Sequence, residues 1–598
     1  MGDLAMEWAS LPQLTDIHAS ADGRMALWVW AGFAEAAQVF CAPCDGSLPP
    51  RQLTFEADHV SIRDVSADGS RLILAQSVNA CEHDHLLLLE AATGALTRLT
   101  PVQSDHYLYG GTFSADGAAV IFIADFDYGA GEVTAGGWVW RQDFATGTRT
   151  CLARSQTPFE RGLRPSPSGA VLLWHRHERA PAGTQLWGMA ADGSACREVL
   201  NLGPANNARG AWLDNERIGF VADVAGQDRL GVLTLATGAV DWLAGEPEIF
   251  PFDILPGKDN FACICHDQSR SFAEIFGETG HHPLPNNSGR RSLLPHAALP
   301  DGGWLAEAYD ADAPHQLVRV MPDGSCLVLA QADPSHRTYT TPRDYRWTAP
   351  DGRAVQGWLY QPEGPSRGLI AYVHGGPTWH SEDWVNPKIG FWVQAGFTVL
   401  DPNYRGSTGF GHAHREAVKE DGWGGREQAD IRAGIEALVA EGLAERGKIA
   451  VAGNSYGGFS SWFAITRHAD LVNAAIPMCG MYRLDIDYHQ TEMPHGRAYS
   501  EEMMGGTPAQ VPEKYANASP ENFIHQIRGA LMIVHGLADS NVGPENTHVA
   551  VRDLTAAGIA HEVVLYPDEG HGVFRRGNVA DYLARSERFL ARAFGETR

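Results

Sequence analysis

Ser455, Asp539 and His571 are residues whose types and surroundings could together do chemistry, and that chemistry would be acyl transfer through a covalent intermediate. Ser455 sits in Gly453-Asn454-Ser455-Tyr456-Gly457, directly after the apolar run Ile449-Ala450-Val451-Ala452. A strand that turns sharply into a helix forces its serine into strained backbone, and only glycine fits two residues to either side. The stretch Phe459 to His468 supplies a helix of the right place and length. A serine nucleophile further needs a base to take its proton, a carboxylate to orient that base, and amide donors for the oxyanion.

The chain offers these partners in the order Ser, Asp, His. Asp539 lies in His535-Gly536-Leu537-Ala538-Asp539, just past the apolar strand Leu531 to Val534. His571 lies in Pro567-Asp568-Glu569-Gly570-His571-Gly572, past the next strand, and its flanking glycines give the loop freedom to reach the serine. Val373-His374-Gly375-Gly376-Pro377 ends another strand with two glycines, so that backbone amides can approach a substrate oxygen. The oxyanion amides are assigned to Gly376, with Gly375 as the alternative, and to Tyr456, which follows the nucleophile. His535 is a rival base, but it lies so close to its strand that it reads as a packed histidine; His374 could instead shape its own loop.

These groups must be positioned by a parallel α/β sheet. Past a Pro-containing link at Asp333 to Pro342, strands at Gly357–Tyr360, Gly368–Val373, Thr398–Leu400, Ala474–Ile476, Leu531–Val534 and His561–Tyr566 alternate with helices at Ile389–Ala395, Gly425–Leu438, Asn546–Ala557 and Val579–Phe594. Such a sheet places its loops of function at the carboxyl ends of its strands. Before the link a different pattern runs. Turns at Asp22-Gly23, Asp68-Gly69, Asp116-Gly117, Ser168-Gly169, Asp214-Asn215, Asp259-Asn260 and Asp301-Gly302 recur about every 45 residues, the length of a propeller blade. A second series, Asp45-Gly46, Thr93-Gly94, Thr146-Gly147, Asp192-Gly193, Thr237-Gly238, Thr279-Gly280 and Asp323-Gly324, falls half a period later. Two interleaved series of seven predict a seven-bladed β-propeller over residues 1–335 and an α/β-hydrolase domain over 336–598.

Composition narrows the partners. A formal net charge of -26 argues against nucleic acid and anionic membranes, which attract basic surfaces. The N-terminus shows neither a basic nor an apolar signal region, no apolar run approaches transmembrane length, and nine scattered cysteines suit a reducing compartment, so a cytoplasmic protein is expected. Cys41-Ala-Pro-Cys44 has redox spacing without a redox context and reads as coincidence. Cys81, His83 and His85 alternate along a predicted strand and would share one face, where a plain strand surface outweighs a metal site. No metal and no cofactor are expected.

In His374-Gly375-Gly376-Pro377, Asn403-Tyr404-Arg405-Gly406-Ser407-Thr408-Gly409-Phe410-Gly411, Gly453 to Gly458, the Asp539 loop and Glu569-Gly570-His571-Gly572, the chain resembles the prolyl oligopeptidase (S9) family of serine peptidases, in which a β-propeller caps an α/β-hydrolase domain. His-Gly-Gly-Pro looks most like the acylaminoacyl-peptidase branch. That branch usually carries an arginine two residues after the triad aspartate, which binds a substrate carbonyl, and this chain has Asn541 there. An asparagine resembles the dipeptidyl-peptidase branch, whose paired propeller glutamates are missing here. The resemblance implies an apolar S1 site at Met481, Tyr482 and Val542, and it makes Arg483 and Arg497 candidates to replace the missing arginine.

The expected function is hydrolysis of short peptides or peptide-like amides, most simply by an exopeptidase of the acylaminoacyl-peptidase or aminopeptidase type, releasing one or two N-terminal residues, blocked ones included. An esterase or small-molecule amidase would use the same residues, and an inactive propeller interaction protein is the reading from another class. Self-association into a homo-oligomer is compatible with the chain.

Overall fold

The computed structural model describes residues 2–596 apart from 104, 158–162, 178–182, 204–205, 244–247, 279, 285–290 and 334–337. Seven four-stranded antiparallel sheets span residues 13–52, 60–98, 108–153, 164–200, 208–242, 248–283 and 292–331. They are the blades of a propeller, as the repeat period predicts. The first series of turns joins the first and second strands of each blade, and the second series joins the third and fourth. Thr279 in the second series and the link residues 334–337 lie outside the described residues.

The repeated Ser-Ala-Asp-Gly phrase has a local cause. Ser20 Oγ donates to Asp22 Oδ1 at 2.6 Å, the carboxylate accepts from the amide of Arg24 at 3.0 Å, and Gly23 takes the positive φ of 69°. Ser66 and Asp68, then Ser114 and Asp116, repeat the arrangement. Each blade is built from consecutive strands, so no strand is lent across the ring. Closure rests on packing: Gly23 leaves no space for a side chain against Pro300, and Leu299, Leu305 and Leu317 of the last blade share a core with Ala26 and Trp28 of the first.

The second domain is an eight-stranded sheet. Its strands in chain order are β1 (Arg343–Thr348), β2 (Ala354–Tyr360), β3 (Leu369–Val373), β4 (Thr398–Asn403), β5 (Ile449–Asn454), β6 (Ala474–Met478), β7 (Ala530–Gly536) and β8 (Glu562–Tyr566), and they lie side by side as β1-β2-β4-β3-β5-β6-β7-β8. From β4 onward in that order every pairing is parallel. Both faces are covered, which is why β5 and β6 read as unbroken apolar runs. Ala450 and Ala452 pack with Trp392, Tyr582 and Leu590 on one face, while Ile449 and Val451 pack with Ile431, Ile435 and Phe459 on the other.

One element is invisible to the repeat period. Helix α1 (Gly2–Ala9) packs on α2 (Pro387–Gln394) and on the C-terminal helix Arg576–Ala593 of the hydrolase domain. Trp8 donates to Gln394 Oε1 at 2.8 Å and fills the space over Gly390, so the first blade begins only at Gln13. Ion pairs tie propeller to hydrolase: Arg270 to Asp383 at 2.8 Å, and Arg415 to Asp228 at 2.6 Å. A buried cluster of His266, Ser271, Tyr309, His380 and Glu382 joins them, with Tyr309 donating to Glu382 at 2.9 Å. Among the described residues no helix is long and apolar enough to cross a membrane.

Candidate active site

Ser455 stands between β5 and the helix α3 (Tyr456–Arg467), with φ 59° and ψ -120°. That is backbone which costs a non-glycine residue energy and is held only by its surroundings. The turn is enforced by close approach. A methyl group on Gly453 would stand 2.4 Å from Val373 O, one on Gly457 1.9 Å from the same oxygen, and one on Gly458 2.3 Å from Met478 O. The Ser455 amide donates to Met478 O at 3.0 Å, and Ser455 O accepts from Phe459 at 2.9 Å to start the helix.

Asp539 and His571 follow β7 and β8 at the same sheet edge. His571 Nδ1 lies 2.8 Å from Asp539 Oδ2. The other carboxylate oxygen accepts from the amides of Asn541 and Val542, both at 2.9 Å. Burial works against ionisation of Asp539, but the neighbouring His571 and His535 outweigh it and hold the carboxyl far below the ordinary range. Burial likewise opposes a charged His571, and there the Asp539 charge and hydrogen bond, followed by Glu82 and Asp487, prevail and raise its pKa above 6.5. His571 Nε2, the nitrogen that would take a proton from Ser455, is buried and without a hydrogen bond among the described residues. Such bonds commonly form only once substrate is seated.

His535 is fully buried, 2.7 Å from Thr547 Oγ1, 2.9 Å from Val542 O and 3.3 Å from Asp539 Oδ2. It steadies the loop that carries the aspartate. His374 is held the same way, 2.8 Å from Gly375 O and 2.9 Å from Ser407 Oγ, and burial lowers its pKa to about 4, so it is neutral. Tyr404 stacks on this ring and donates to His374 O at 2.9 Å. The Asn403–Gly411 motif therefore fixes the loop of Gly375 and Gly376. Gly376 has φ 119°, and a methyl on Gly375 would stand 3.4 Å from Ser455 Cβ, so the loop runs past the nucleophile. The amide of Tyr456, first in its helix, has no acceptor within the helix. Its hydroxyl donates to Glu427 Oε1 at 2.9 Å, and burial pushes that carboxyl up to about 7.

Met481, Tyr482 and Val542 are buried in one cluster with Tyr456, Phe459 and Trp462. Asn541 is half-buried beside Asp539. Arg483 pairs with Asp485 at 2.7 Å and Glu521 at 3.1 Å, and the exposed Arg497 donates to the carbonyls of Tyr488 and His489. Cys81 and His83 do not lie on a strand, contrary to the alternation read from sequence; the strand starts at His85, and residues 78–84 form a loop with Asn79, Ala80 and Glu82 at positive φ. This propeller loop reaches the loops of Asp539 and His571, for Ser540 Oγ donates to Cys81 O at 2.6 Å and Gly570 packs on Ala80 O. Sequence carries no signal for that contact, or for Asp487, on which the charges of Asp539 and His571 act. Cys41 and Cys44 are buried free thiols. The Cys479 thiol lies close to Asp539 and His571, and burial, followed by the Asp539 charge, keeps it protonated.

Comparison with known proteins agrees with this geometry. Residues 384–597 match the prolyl oligopeptidase family, Peptidase_S9. The chain is 24% identical to dipeptidyl aminopeptidase BIII of Pseudoxanthomonas mexicana over 629 residues, covering 98% of this chain and 87% of that one. A puromycin-hydrolyzing peptidase of Mycobacterium tuberculosis superposes with a TM-score of 0.84 at 21% identity over 99% of this chain and 96% of the other. An acylaminoacyl peptidase of Pyrococcus horikoshii does so with 0.77 at 16% identity, over 99% and 98%. Residues 384–597 thus form a domain that matches the prolyl oligopeptidase family, and the chain as a whole, propeller and eight-stranded sheet together, shares the fold of these peptidases.

Proposed function

We propose that the protein is a serine exopeptidase that cleaves short peptides or peptide-like amides through an acyl-enzyme. The observation that carries this reading is Ser455 on a strained turn, at the sheet edge where His571 is bonded to Asp539. Ser455 Oγ attacks the carbonyl carbon as His571 Nε2 takes its proton. Asp539 fixes the tautomer and steadies the imidazolium. The amides of Gly376 and Tyr456 donate hydrogen bonds to the negative oxygen. When the C–N bond breaks, His571 returns the proton to the leaving amine, and water then releases the acyl group by the same path.

Met481, Tyr482 and Val542 supply an apolar S1 wall, with Asn541 at its rim. The partners of Arg483 and Arg497 leave little support for either as the substitute carbonyl donor. The propeller loop at residues 78–84 restricts the site to small or unfolded substrates. Likeness over the whole chain to a dipeptidyl aminopeptidase supports cleavage near a free N-terminus. We place the enzyme in the cytoplasm, a setting suited to free thiols such as Cys41 and Cys44.

The test is labelling of the folded protein by a fluorophosphonate, together with turnover of free-amine aminoacyl, N-acyl and ester chromogenic substrates. Labelling at Ser455 and amide turnover are expected, and both should vanish in Ser455→Ala with the melting temperature retained. Ester turnover without amide turnover would make it an esterase, and no labelling would make it an inactive interaction protein.

A further inference from the structure

Asp487 is an acid outside the triad. It lies on the helix Leu484–Gln490, which follows directly on the S1 segment at Met481 and Tyr482. The residue is 7% exposed, and its Oδ1 is buried without a hydrogen-bond partner among the described residues. A carboxylate oxygen shut away from water and left unbonded is rare in a folded protein, because it forfeits its hydration for nothing.

The nearby cations are engaged elsewhere. Arg483 is held by Asp485 and Glu521, and Arg497 by two main-chain carbonyls. The charges that act on Asp487 are those of Asp539 and His571, so its carboxylate addresses the catalytic centre. Burial, then the Asp539 charge, pushes its pKa up to about 7. A second carboxylate comes from the facing propeller loop, where the charge of Glu82 also acts on His571. The wall of the site is therefore acidic without a fixed counter-ion for Asp487, and a positive group of the substrate would complete it.

We propose that Asp487 is the anchor for a cationic group on the acyl side of the scissile bond. The group is an ammonium or guanidinium, carried either as the free α-amine of the residue whose carbonyl Ser455 attacks or as a basic side chain. This rests on the reading of the site as a serine peptidase. It deepens that reading by making charge the basis of selectivity, over an apolar S1 wall that alone would favour neutral residues.

The test compares kcat/KM for three p-nitroanilides, one with a free α-amine and an apolar side chain, one N-blocked and basic, and one N-blocked and apolar. It uses the full-length protein and its Asp487→Asn and Asp487→Ala variants. The ratio of a cationic to the neutral substrate should fall at least about 10-fold in both variants, the scale of one charge-assisted hydrogen bond, with the change mainly in KM. A fall confined to the first substrate identifies the α-amine, and one confined to the second identifies the basic side chain. An unchanged ratio for both overturns the proposal.

A second measurement needs no peptide turnover. Protection of Ser455 from a fluorophosphonate by 3-phenylpropylammonium is compared with protection by 3-phenylpropanol. The cation should protect at lower concentration in the native protein, and equal protection overturns the proposal even if the variants fail to fold. If no anilide is cleaved while Ser455 still labels, the peptidase reading fails and this comparison decides Asp487 separately.

Discussion

Tyr107 of the propeller donates a hydrogen bond of 2.8 Å to Ser540 Oγ, one residue beyond Asp539. Ser540 in turn donates to Cys81 O at 2.6 Å, so the loop of the triad aspartate is stitched to two neighbouring blades. The propeller is then part of the geometry that holds the proposed triad, and more than a lid. Tyr107→Phe removes one buried bond and leaves Ser540 its other partner, at a cost of about 1 kcal/mol in stability. The expected result is a fall of a few-fold in kcat/KM at nearly unchanged melting temperature. Kinetic constants identical to the native enzyme would show that Asp539 holds its place without the propeller.

The pH profile follows from the sign of the His571 shift. The base must be neutral to accept the Ser455 proton, so kcat/KM should be low in acid and rise to a plateau. Burial would push the midpoint down, but the Asp539 charge, the shared hydrogen bond, Glu82 and Asp487 push it above 6.5. Asp539→Asn should lower that midpoint and cut kcat by roughly 10⁴, the effect of losing the correct tautomer. The same raised value means that the folded state holds this proton more tightly than the unfolded chain. The stability contributed by His571 is therefore fully present below pH 6.5 and lost as pH rises through its folded value. A midpoint below 6.5 for the native enzyme would contradict the assigned environment.

Arg405 offers a test of how the loop of Gly375 and Gly376 is held. It is 1% exposed, bonded to Asp430 at 2.6 and 2.8 Å and to Asp351 at 2.8 and 3.0 Å. Its neighbours Tyr404 and Ser407 hold His374. Arg405→Met strands the fully buried Asp430, and removing one partner of such a pair costs about 3–5 kcal/mol. Urea unfolding should show that loss, and it should be smaller in the double variant with Asp430→Asn. Equal losses in both would mean that packing, and not the stranded charge, sets the cost.

The propeller was legible because its hairpins are local. Asp22-Gly23 and its repeats need only two residues and a nearby serine to specify a turn, and a period of turns counts the blades. The hydrolase strands were legible for a similar reason, since a strand buried on both faces must be apolar throughout, as in Ile449 to Ala452. What stayed hidden was long-range. Helix α1 packs on a helix at the opposite end of the chain, and nothing in Gly2 to Ala9 names that partner. Asp487 sits in Leu484-Asp485-Ile486-Asp487-Tyr488, which reads as a solvated helix face, and Asp485, paired with Arg483, fits that reading better than Asp487 does. The pattern of charges along a helix shows which residues can ionise; whether one of them is buried beside His571 depends on a sheet assembled from distant segments.

Two glycines separate what the turn needs from what the chemistry needs. At Gly457 a methyl would stand 1.9 Å from Val373 O and 2.9 Å from Val373 C, both main-chain atoms of a central strand that cannot give way. Gly457→Ala should therefore fail to form the turn, seen as a large drop in melting temperature or as insoluble protein. At Gly375 a methyl would meet Asn454 O at 3.3 Å, Ser455 Cβ at 3.4 Å and Ser455 Oγ at 4.0 Å. That space is tight but tolerable for folding, and it borders the path of the attacked carbonyl. Gly375→Ala should keep the melting temperature within a few degrees while kcat falls at least about 10-fold, because crowding there is felt most where the tetrahedral centre forms. Loss of stability in Gly375→Ala with kcat retained would reverse the assignment, making that glycine a requirement of the loop and not of the reaction.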